Sequence, residues 1–320
     1  MKTIRHSAIL LVFLLLLPAV RLTADQATTP PPFTFVAVGD TGCGCKPQEE
    51  VASRMIQWHQ QKPFDTVVML GDNIYPGGGY NGGDKALFPD RFDKFYKPLI
   101  DKGVKFYAAL GNHDFETNKG MDEVADKNRF HIMGDQGYYS FSPAKEIDGR
   151  PLITFFVLNS ERLLRLNEDP EQIAWFSKQL ADSKAIWKVV YFHEPIYAPG
   201  GGHAPEGELK QGIEKIMIAA GVQLVLAGHD HFYARLKPEN GINYIISGGG
   251  GRDLVTPRNG EVVAKIGRTY HFTYFEVYPD QMTFQAIPTS GDALDQGMIL
   301  SATPNGKTPV TAASGAGSNK

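Results

Sequence analysis

Short apolar runs of strand length alternate along the chain with segments that carry a helical repeat. The runs lie at residues 33–38, 66–70, 105–110, 152–158, 186–192 and 222–227. Between them, apolar residues recur three or four positions apart, which indicates the buried face of a helix. These repeats are Val51, Met55 and Trp58; Ile173, Phe176 and Leu180; and Leu209, Ile213, Ile216 and Ala220.

This alternation predicts an α/β fold in which crossover helices cover a sheet. The runs are apolar throughout, as expected for strands that are buried on both faces. The later part of the chain is β-rich, at residues 244–247, 270–278 and 282–287. We therefore expect a second packed sheet, and with it a four-layer αββα sandwich of two mixed β-sheets flanked by helices.

The two ends of the chain differ in pattern from its middle. Residues 1–24 combine basic residues, a short apolar run and small residues near a cleavage point, which is typical of a signal peptide. An uncleaved N-terminal anchor is the alternative. Residues 25–32 predict a linker, residues 33–300 one folded domain, and the small polar residues 301–320 a disordered tail. We therefore expect a secreted or periplasmic protein that is free of the membrane after cleavage.

Composition and charge exclude some classes of function but do not identify one. The apolar fraction is 42% and the charged fraction 21%, which is ordinary for a soluble globular protein. The formal net charge is -3 without a long basic run, so no nucleic-acid binding is expected. A bond between the two cysteines, Cys43 and Cys45, would close a very small ring, so we expect free thiols or a labile pair.

Residues that can bind a metal follow the ends of several predicted strands. These residues are Asp40, Asp72, Asn112, His193 and His229. In open α/β sheets, ligands bind beyond the carboxyl ends of the strands, so these side chains are expected to converge on one site.

Each of these motifs is weaker alone than in combination. Asp40 alone is more typical of a turn that caps the next helix, and a lone His193 of a buried core histidine. A turn, however, does not require Tyr75 three residues after Asp72. His229 and His231, two positions apart after an apolar strand, can both face one metal ion.

The motifs in this order resemble those of the calcineurin-like metallophosphoesterase superfamily. They are Gly39-Asp40, Gly71-Asp72-Asn73, Gly111-Asn112-His113-Asp114, His193 and Gly228-His229-Asp230-His231. Tyr75 makes the chain similar to the small, single-domain purple acid phosphatases of the tartrate-resistant type. The resemblance covers about residues 33–290 and implies the same four-layer fold.

The resemblance also implies a set of metal ligands. Asp72 would bridge two metal ions, of which the first is iron(III) and the second iron(II), zinc or manganese. Asp40, Tyr75 and His231 would complete the first site, and Asn112, His193 and His229 the second. Hard anionic donors suit a trivalent ion, whereas the more neutral set suits a divalent one.

Three further residues are candidates for catalysis. His113 is not needed as a ligand, so it can contact a phosphate oxygen or protonate the leaving group, and Asp114 could orient it. His203 resembles the second histidine that the family places near the leaving group, but a solvated loop histidine fits its position equally well. The glycine-rich residues 75–84 are either a substrate loop or a flexible connection.

The chemistry expected from these residues is hydrolysis of a small phosphate monoester. Two cations about 3.5–4 Å apart neutralise phosphate oxygens and generate a metal-bound hydroxide as the nucleophile. A phosphodiesterase or nucleotidase on the same metals is the first alternative. A non-catalytic binding protein on a degenerate scaffold is the second, but it predicts missing ligands, and the ligand set of the family is complete here.

Overall fold

The computed structural model describes residues 31–165, 169–301 and 310–311. In this part of the chain the strands are β1 (Phe33–Val38), β2 (Thr66–Leu70), β3 (Lys105–Ala109), β4 (Tyr139–Phe141), β5 (Glu146–Ile147), β6 (Arg150–Pro151), β7 (Ile153–Val157), β8 (Trp187–Tyr191), β9 (Leu224–Ala227), β10 (Tyr233–Leu236), β11 (Asn243–Ser247), β12 (Val263–Gly267), β13 (His271–Val277), β14 (Gln281–Pro288), β15 (Asp295–Leu300) and β16 (Val310–Thr311). The α-helices are α1 (Lys46–Gln61), α2 (Lys94–Ile100), α3 (Met121–Ala125), α4 (Ser160–Arg165), α5 (Pro170–Asp182) and α6 (Gly207–Ala220).

Two seven-stranded mixed sheets form the centre of the fold. The first has the strand order β16-β15-β14-β13-β1-β2-β3, and the second has the order β12-β10-β11-β9-β8-β7-β4. Neighbours β1, β2 and β3 run parallel, as do β7, β8, β9 and β11. Parallel neighbours place their carboxyl ends at one edge of a sheet, so the predicted ligands that follow these strands are brought to the same edge.

Alternation along the strands of the second sheet separates two hydrophobic cores. In β7, Phe155 packs into the core that the sheets share, whereas Phe156 packs into a core with α5 and α6. The same alternation places Val189 in the shared core and Val190 in the outer one. Phe35 of β1 meets Phe155 edge to face, with ring centroids 5.0 Å apart, so the two sheets pack directly on each other.

Local sequence accounts for the ends of the covering helices. The side chain of Asp169 accepts a hydrogen bond from the amide of Gln172 at the start of α5, where Pro170 occupies the first turn. Helix α6 ends at Gly221, whose left-handed backbone conformation closes the last turn. Val51 and Met55 of α1 are buried against the first sheet, as the helical repeat predicts.

The α/β sandwich predicted from the sequence is confirmed. The central strands lie within two residues of their predicted bounds, because their apolar runs are long and uninterrupted. The pattern missed β10, β12 and β15, among others. In β12, Val263–Gly267, the burial is partial and the strand lies at a sheet edge, so its sequence carries little apolar signal.

The predicted signal peptide and most of the predicted linker lie outside the described residues. So does most of the predicted tail, in which Val310–Thr311 form a two-residue strand against β15. No helix within the described part of the chain is long and apolar enough to span a membrane.

Candidate metal centre

The strand ends of both sheets deliver the predicted ligands to one place. Asp40 follows β1, Asp72 follows β2 and Asn112 follows β3, all in the first sheet. His193 and His229 follow β8 and β9 of the second sheet. The sheets are joined at this edge by a hydrogen bond of 2.9 Å from the Gly39 amide to the Ser247 carbonyl.

One group of donors surrounds the phenol of Tyr75. Its Oη lies 3.0 Å from Nε2 of His231 and 3.2 Å from Oδ1 of Asp40. The ligand atoms of Asp40, Asp72 and His231 all lie within 4.8 Å of one another. This is the set that the resemblance assigns to the first metal.

A second group surrounds the buried imidazole of His193. Its Nε2 lies 3.2 Å from Oδ1 of Asn112 and 3.1 Å from Nδ1 of His229. The same nitrogen is 3.4 Å from Oδ1 of Asp72, so this carboxylate faces both groups. The position of Asp72 therefore fits the bridging ligand of a two-metal site.

Hydrogen bonds on the far side of two rings fix which nitrogen faces the site. Nδ1 of His193 lies 2.8 Å from the Leu70 carbonyl, and Nδ1 of His231 lies 2.9 Å from the Asp253 carbonyl. A carbonyl can only accept, so Nδ1 carries hydrogen in both rings and Nε2 is left for a metal.

The protonation of the donors also fits a cation. Burial, together with His193 and His203, lowers the pKa of His229 to about 2, so this ring is neutral and can donate a lone pair. Burial raises the pKa of the Tyr75 phenol well above its ordinary value, and Asp40 and Asp72 add to the increase. A phenolate at this position would therefore need a cation beside it.

Glycines before the ligands are required by close packing. Gly71 has a φ of 87°, and a Cβ there would lie 2.4 Å from Nδ1 of His193. A Cβ at Gly111 would lie 2.4 Å from both the amide nitrogen and Oδ1 of Asp72. Asp72 itself has a φ of 51°, a conformation that costs energy for a residue other than glycine.

The contacts of Asp114 differ from those expected of it. Its carboxylate accepts hydrogen bonds from the amides of Gly111, Asn73 and Ile74 at 2.8–3.1 Å. Burial, with Asp72 nearby, raises the pKa of Asp114 to about 6. Asp114 thus joins the two loops that carry the ligands, and it is not the residue that orients the His113 ring.

That orienting position belongs to Glu116, a residue that sequence reasoning missed. Oε1 of Glu116 lies 2.6 Å from Nδ1 of His113. The His113 amide donates to Oδ1 of Asp72 at 3.0 Å, and its ring centroid is 4.5 Å from that of Tyr75. His113 therefore lies beside the first donor group, with its ring 31% exposed. The three-residue spacing from His113 to Glu116 is the sequence feature that could have predicted this contact.

His203 also lies at the site. Its ring centroid is 3.8 Å from that of His229, and its side chain is 54% exposed. The His203 amide donates to Oδ1 of Asp230 at 2.7 Å, which holds residues 200–203 against the loop of His229 and His231. His203 is thus both solvated and adjacent to a ligand, so its position is compatible with a role at the leaving group.

Glu194, which follows His193, was also missed. Its carboxyl is buried and has ligand atoms within 4.8 Å of those of His193 and His229. Burial raises the pKa of Glu194 well above its ordinary value, and Glu161 adds to the increase, whereas His193 opposes it. Glu194 and Asn112, whose Oδ1 lies 3.2 Å from Nε2 of His193, therefore both lie beside this ring, and Asn112 is the ligand that the resemblance implies.

Of the two states expected for the cysteines, free thiols or a labile pair, the structure shows a bonded pair. Cys43 and Cys45 form a disulfide in the loop between β1 and α1, and no free cysteine occurs among the described residues. The loop carries Asp40 at its start, and its Gly42 carbonyl accepts a hydrogen bond from the Tyr75 amide at 2.9 Å. The disulfide therefore lies beside the first donor group.

Comparisons with known proteins agree with the geometry. The family model described as calcineurin-like phosphoesterase matches residues 33–233. Tartrate-resistant acid phosphatase type 5 of Rattus norvegicus is 27% identical over 314 residues, which cover 88% of this chain and 93% of the relative. Purple acid phosphatase 3 of Arabidopsis thaliana is 27% identical over 285 residues, with 79% and 75% covered.

Solved structures show the same fold at lower identity. GAP50, the anchor in the inner membrane complex of Plasmodium, superposes with a TM-score of 0.74 at 16% identity, covering 86% of this chain and 90% of that one. Purple acid phosphatase PPD1 of Lupinus luteus superposes with a TM-score of 0.65 at 17% identity, covering 83% and 53%. Because the family model spans most of the domain and both donor groups are in place, the chain belongs to the calcineurin-like phosphoesterase family and is a metal-dependent phosphoric ester hydrolase.

Proposed function

We propose that this protein is a purple acid phosphatase that hydrolyses small phosphate monoesters. The observation that carries the proposal is the placement of the buried Tyr75 phenol, 3.0 Å from His231 and 3.2 Å from Asp40. Tyr75 is the residue that separates this class from other members of the family in the resemblance, and the acid phosphatases among its relatives support the assignment.

In this proposal, Asp40, Asp72, Tyr75 and His231 would hold iron(III). Asp72, Asn112, His193 and His229 would hold iron(II), zinc or manganese. When bound, the pair would supply Lewis acidity that neutralises phosphate oxygens and activates water.

The protein side chains supply orientation and proton transfer. His113 lies next to the phenol of Tyr75 and is the proposed general acid for the leaving group. His203, whose ring centroid lies 3.8 Å from that of His229, is proposed to contact the same substrate from the side of the second donor group. Asp114 acts at a distance, because its hydrogen bonds hold the loops of Asp72 and Asn112 together.

A visible spectrum with elemental analysis tests the proposal. A tyrosinate that donates charge to iron(III) absorbs visible light, so the oxidised protein should be violet and should contain two metal ions per chain. Tyr75→Phe should lose the colour, whereas Tyr278→Phe, a change outside both donor groups, should keep it. A colourless, iron-free protein with full activity would overturn the purple assignment, and faster turnover of diesters than of monoesters would favour the phosphodiesterase alternative.

A further inference from the structure

We infer that Glu116 is a positioning residue that fixes the orientation of His113 and couples it to the glycine-rich loop at residues 76–84. The inference deepens the proposed function and rests on it, because it assumes that His113 protonates the leaving group. It adds a residue with a defined role in leaving-group chemistry.

The local backbone brings Glu116 to His113. Residues Asp114–Glu116 form a single 3₁₀ turn with His113 at its start. In a 3₁₀ helix, side chains three positions apart lie above one another. The Glu116 amide lies 3.2 Å from the His113 carbonyl, which closes this turn and aligns the two side chains.

The carboxylate of Glu116 selects one orientation of the His113 ring. At 2.6 Å from Oε1, Nδ1 must carry hydrogen, because an ionised carboxylate can only accept. With Nδ1 donating to Glu116, Nε2 is the ring nitrogen left to pass a proton to the leaving-group oxygen as its bond to phosphorus breaks.

The second oxygen of Glu116 extends the contact to the loop. Oε2 accepts a hydrogen bond from the Gly82 amide at 2.9 Å, and the Thr117 amide donates to the Gly82 carbonyl at 3.1 Å. A Cβ at Gly82 would lie 2.3 Å from the His113 carbonyl oxygen, so the loop backbone packs directly on the backbone of His113.

The loop is itself held in a defined shape. Gly77 and Tyr80 exchange two hydrogen bonds of 3.0 Å, and Gly78 and Gly79 between them have φ values of 60° and 88°. This is a two-residue hairpin turn, for which glycine is favoured at both central positions. Glu116 thus connects an ordered loop to the proposed acid.

Leaving-group dependence of turnover distinguishes positioning from a general structural role. A poor leaving group needs protonation in the transition state, whereas p-nitrophenolate leaves without it. Glu116→Gln should therefore lower kcat for glycerol phosphate by about 10–100-fold but change kcat for p-nitrophenyl phosphate by less than about threefold. KM for both substrates and the metal content should stay close to those of the wild type.

Two further variants make the result decisive. Glu116→Asp keeps the carboxylate but shortens the side chain by one methylene. It should lower kcat less than Glu116→Gln does, and again more for glycerol phosphate than for p-nitrophenyl phosphate. Glu50→Gln repeats the amide substitution at an exposed residue of α1 and should change neither rate. Equal losses on both substrates, or no loss on either, would overturn the role of Glu116. A fully metallated wild-type protein that hydrolyses neither substrate would instead overturn the proposed function and this inference with it.

Discussion

The side chain of His113 shows how one residue can be adjacent to a metal centre without being a ligand. Its amide donates to Asp72, its ring lies beside Tyr75, and its Nδ1 is occupied by Glu116. Each neighbouring polar atom therefore has a separate task, and Nε2 is the ring atom left for substrate. The catalytic role of His113 can therefore be tested without removing a proposed metal ligand.

We predict that His113→Ala keeps both metal ions and loses turnover by about 10²–10⁴-fold, the usual contribution of a general acid. The measurement is kcat together with elemental analysis of the same sample. Loss of one metal equivalent in this variant would show that the ring holds the metal centre in place, against the role proposed here.

At the scale of single elements, the ends of the strands determine where the proposed ligands lie. Strands β1, β2 and β9 each stop directly before a glycine, and the ligand that follows turns away from the strand direction. Asp40, Asp72 and His229 all have positive φ values, of 60°, 51° and 67°. Repeated strain of this kind at one edge is typical of functional sites, where surrounding contacts compensate for it.

Gly111→Ala should disrupt the junction of β3 with its ligand loop. The new Cβ would meet the Asp72 backbone at 2.4 Å, and backbone cannot move aside cheaply. We expect the free energy of unfolding to fall by about 1–3 kcal/mol and the metal content to drop below two per chain.

The matched control is Gly212→Ala in α6. A Cβ there meets its nearest atom, on Ile173, at 3.9 Å, which is ordinary contact. This change should raise the free energy of unfolding by up to about 1 kcal/mol, since alanine is the better helix former. Thermal unfolding and metal analysis of both variants check the pair, and a fully metallated Gly111→Ala protein of normal stability would contradict the packing argument.

At the scale of the whole molecule, the two sheets meet behind the site through a buried polar contact. Oγ of Ser247 in the second sheet lies 3.1 Å from Nε2 of His271 in the first. Nδ1 of His271 lies 2.9 Å from the Thr269 carbonyl, and the ring is completely buried. Burial lowers the pKa of His271 to about 4, so the folded protein keeps this ring neutral.

This histidine should make the protein less stable in acid. Between pH 6.5 and about 4, His271 binds a proton in the unfolded chain but not in the folded one, so the free energy of unfolding falls as pH falls through this window. The loss amounts to about 3 kcal/mol from this group. His271→Gln should remove that part of the decrease, as measured by urea unfolding at pH 6.5 and pH 4.

Comparison of variants with the same metal content cancels the contribution of the metal centre. His59→Gln is the control, because the pKa of His59 is also lowered by burial but its ring is far less buried. If wild type and His271→Gln lose the same stability on acidification, His271 is protonated in the folded protein and the burial argument is wrong.

The sequence by itself determined the central strands, the α/β class and the order of the ligand motifs. Apolar runs such as Thr66–Leu70 predict a central strand, because a strand that is buried on both faces needs apolar residues throughout. Edge strands such as β12 escaped prediction, because half-exposed strands tolerate polar residues that weaken the pattern.

Only the tertiary structure decided which side chains meet. Asp114 and Glu116 both lie within three residues of His113, but the 3₁₀ turn directs Glu116 to the ring and buries Asp114 against the amides of Gly111 and Asn73. Glu194 likewise follows a ligand, and only the structure shows that its buried carboxyl lies beside both His193 and His229. The physical reason is that the direction of a side chain and the charges around it depend on the backbone path, which strand-end motifs alone do not specify.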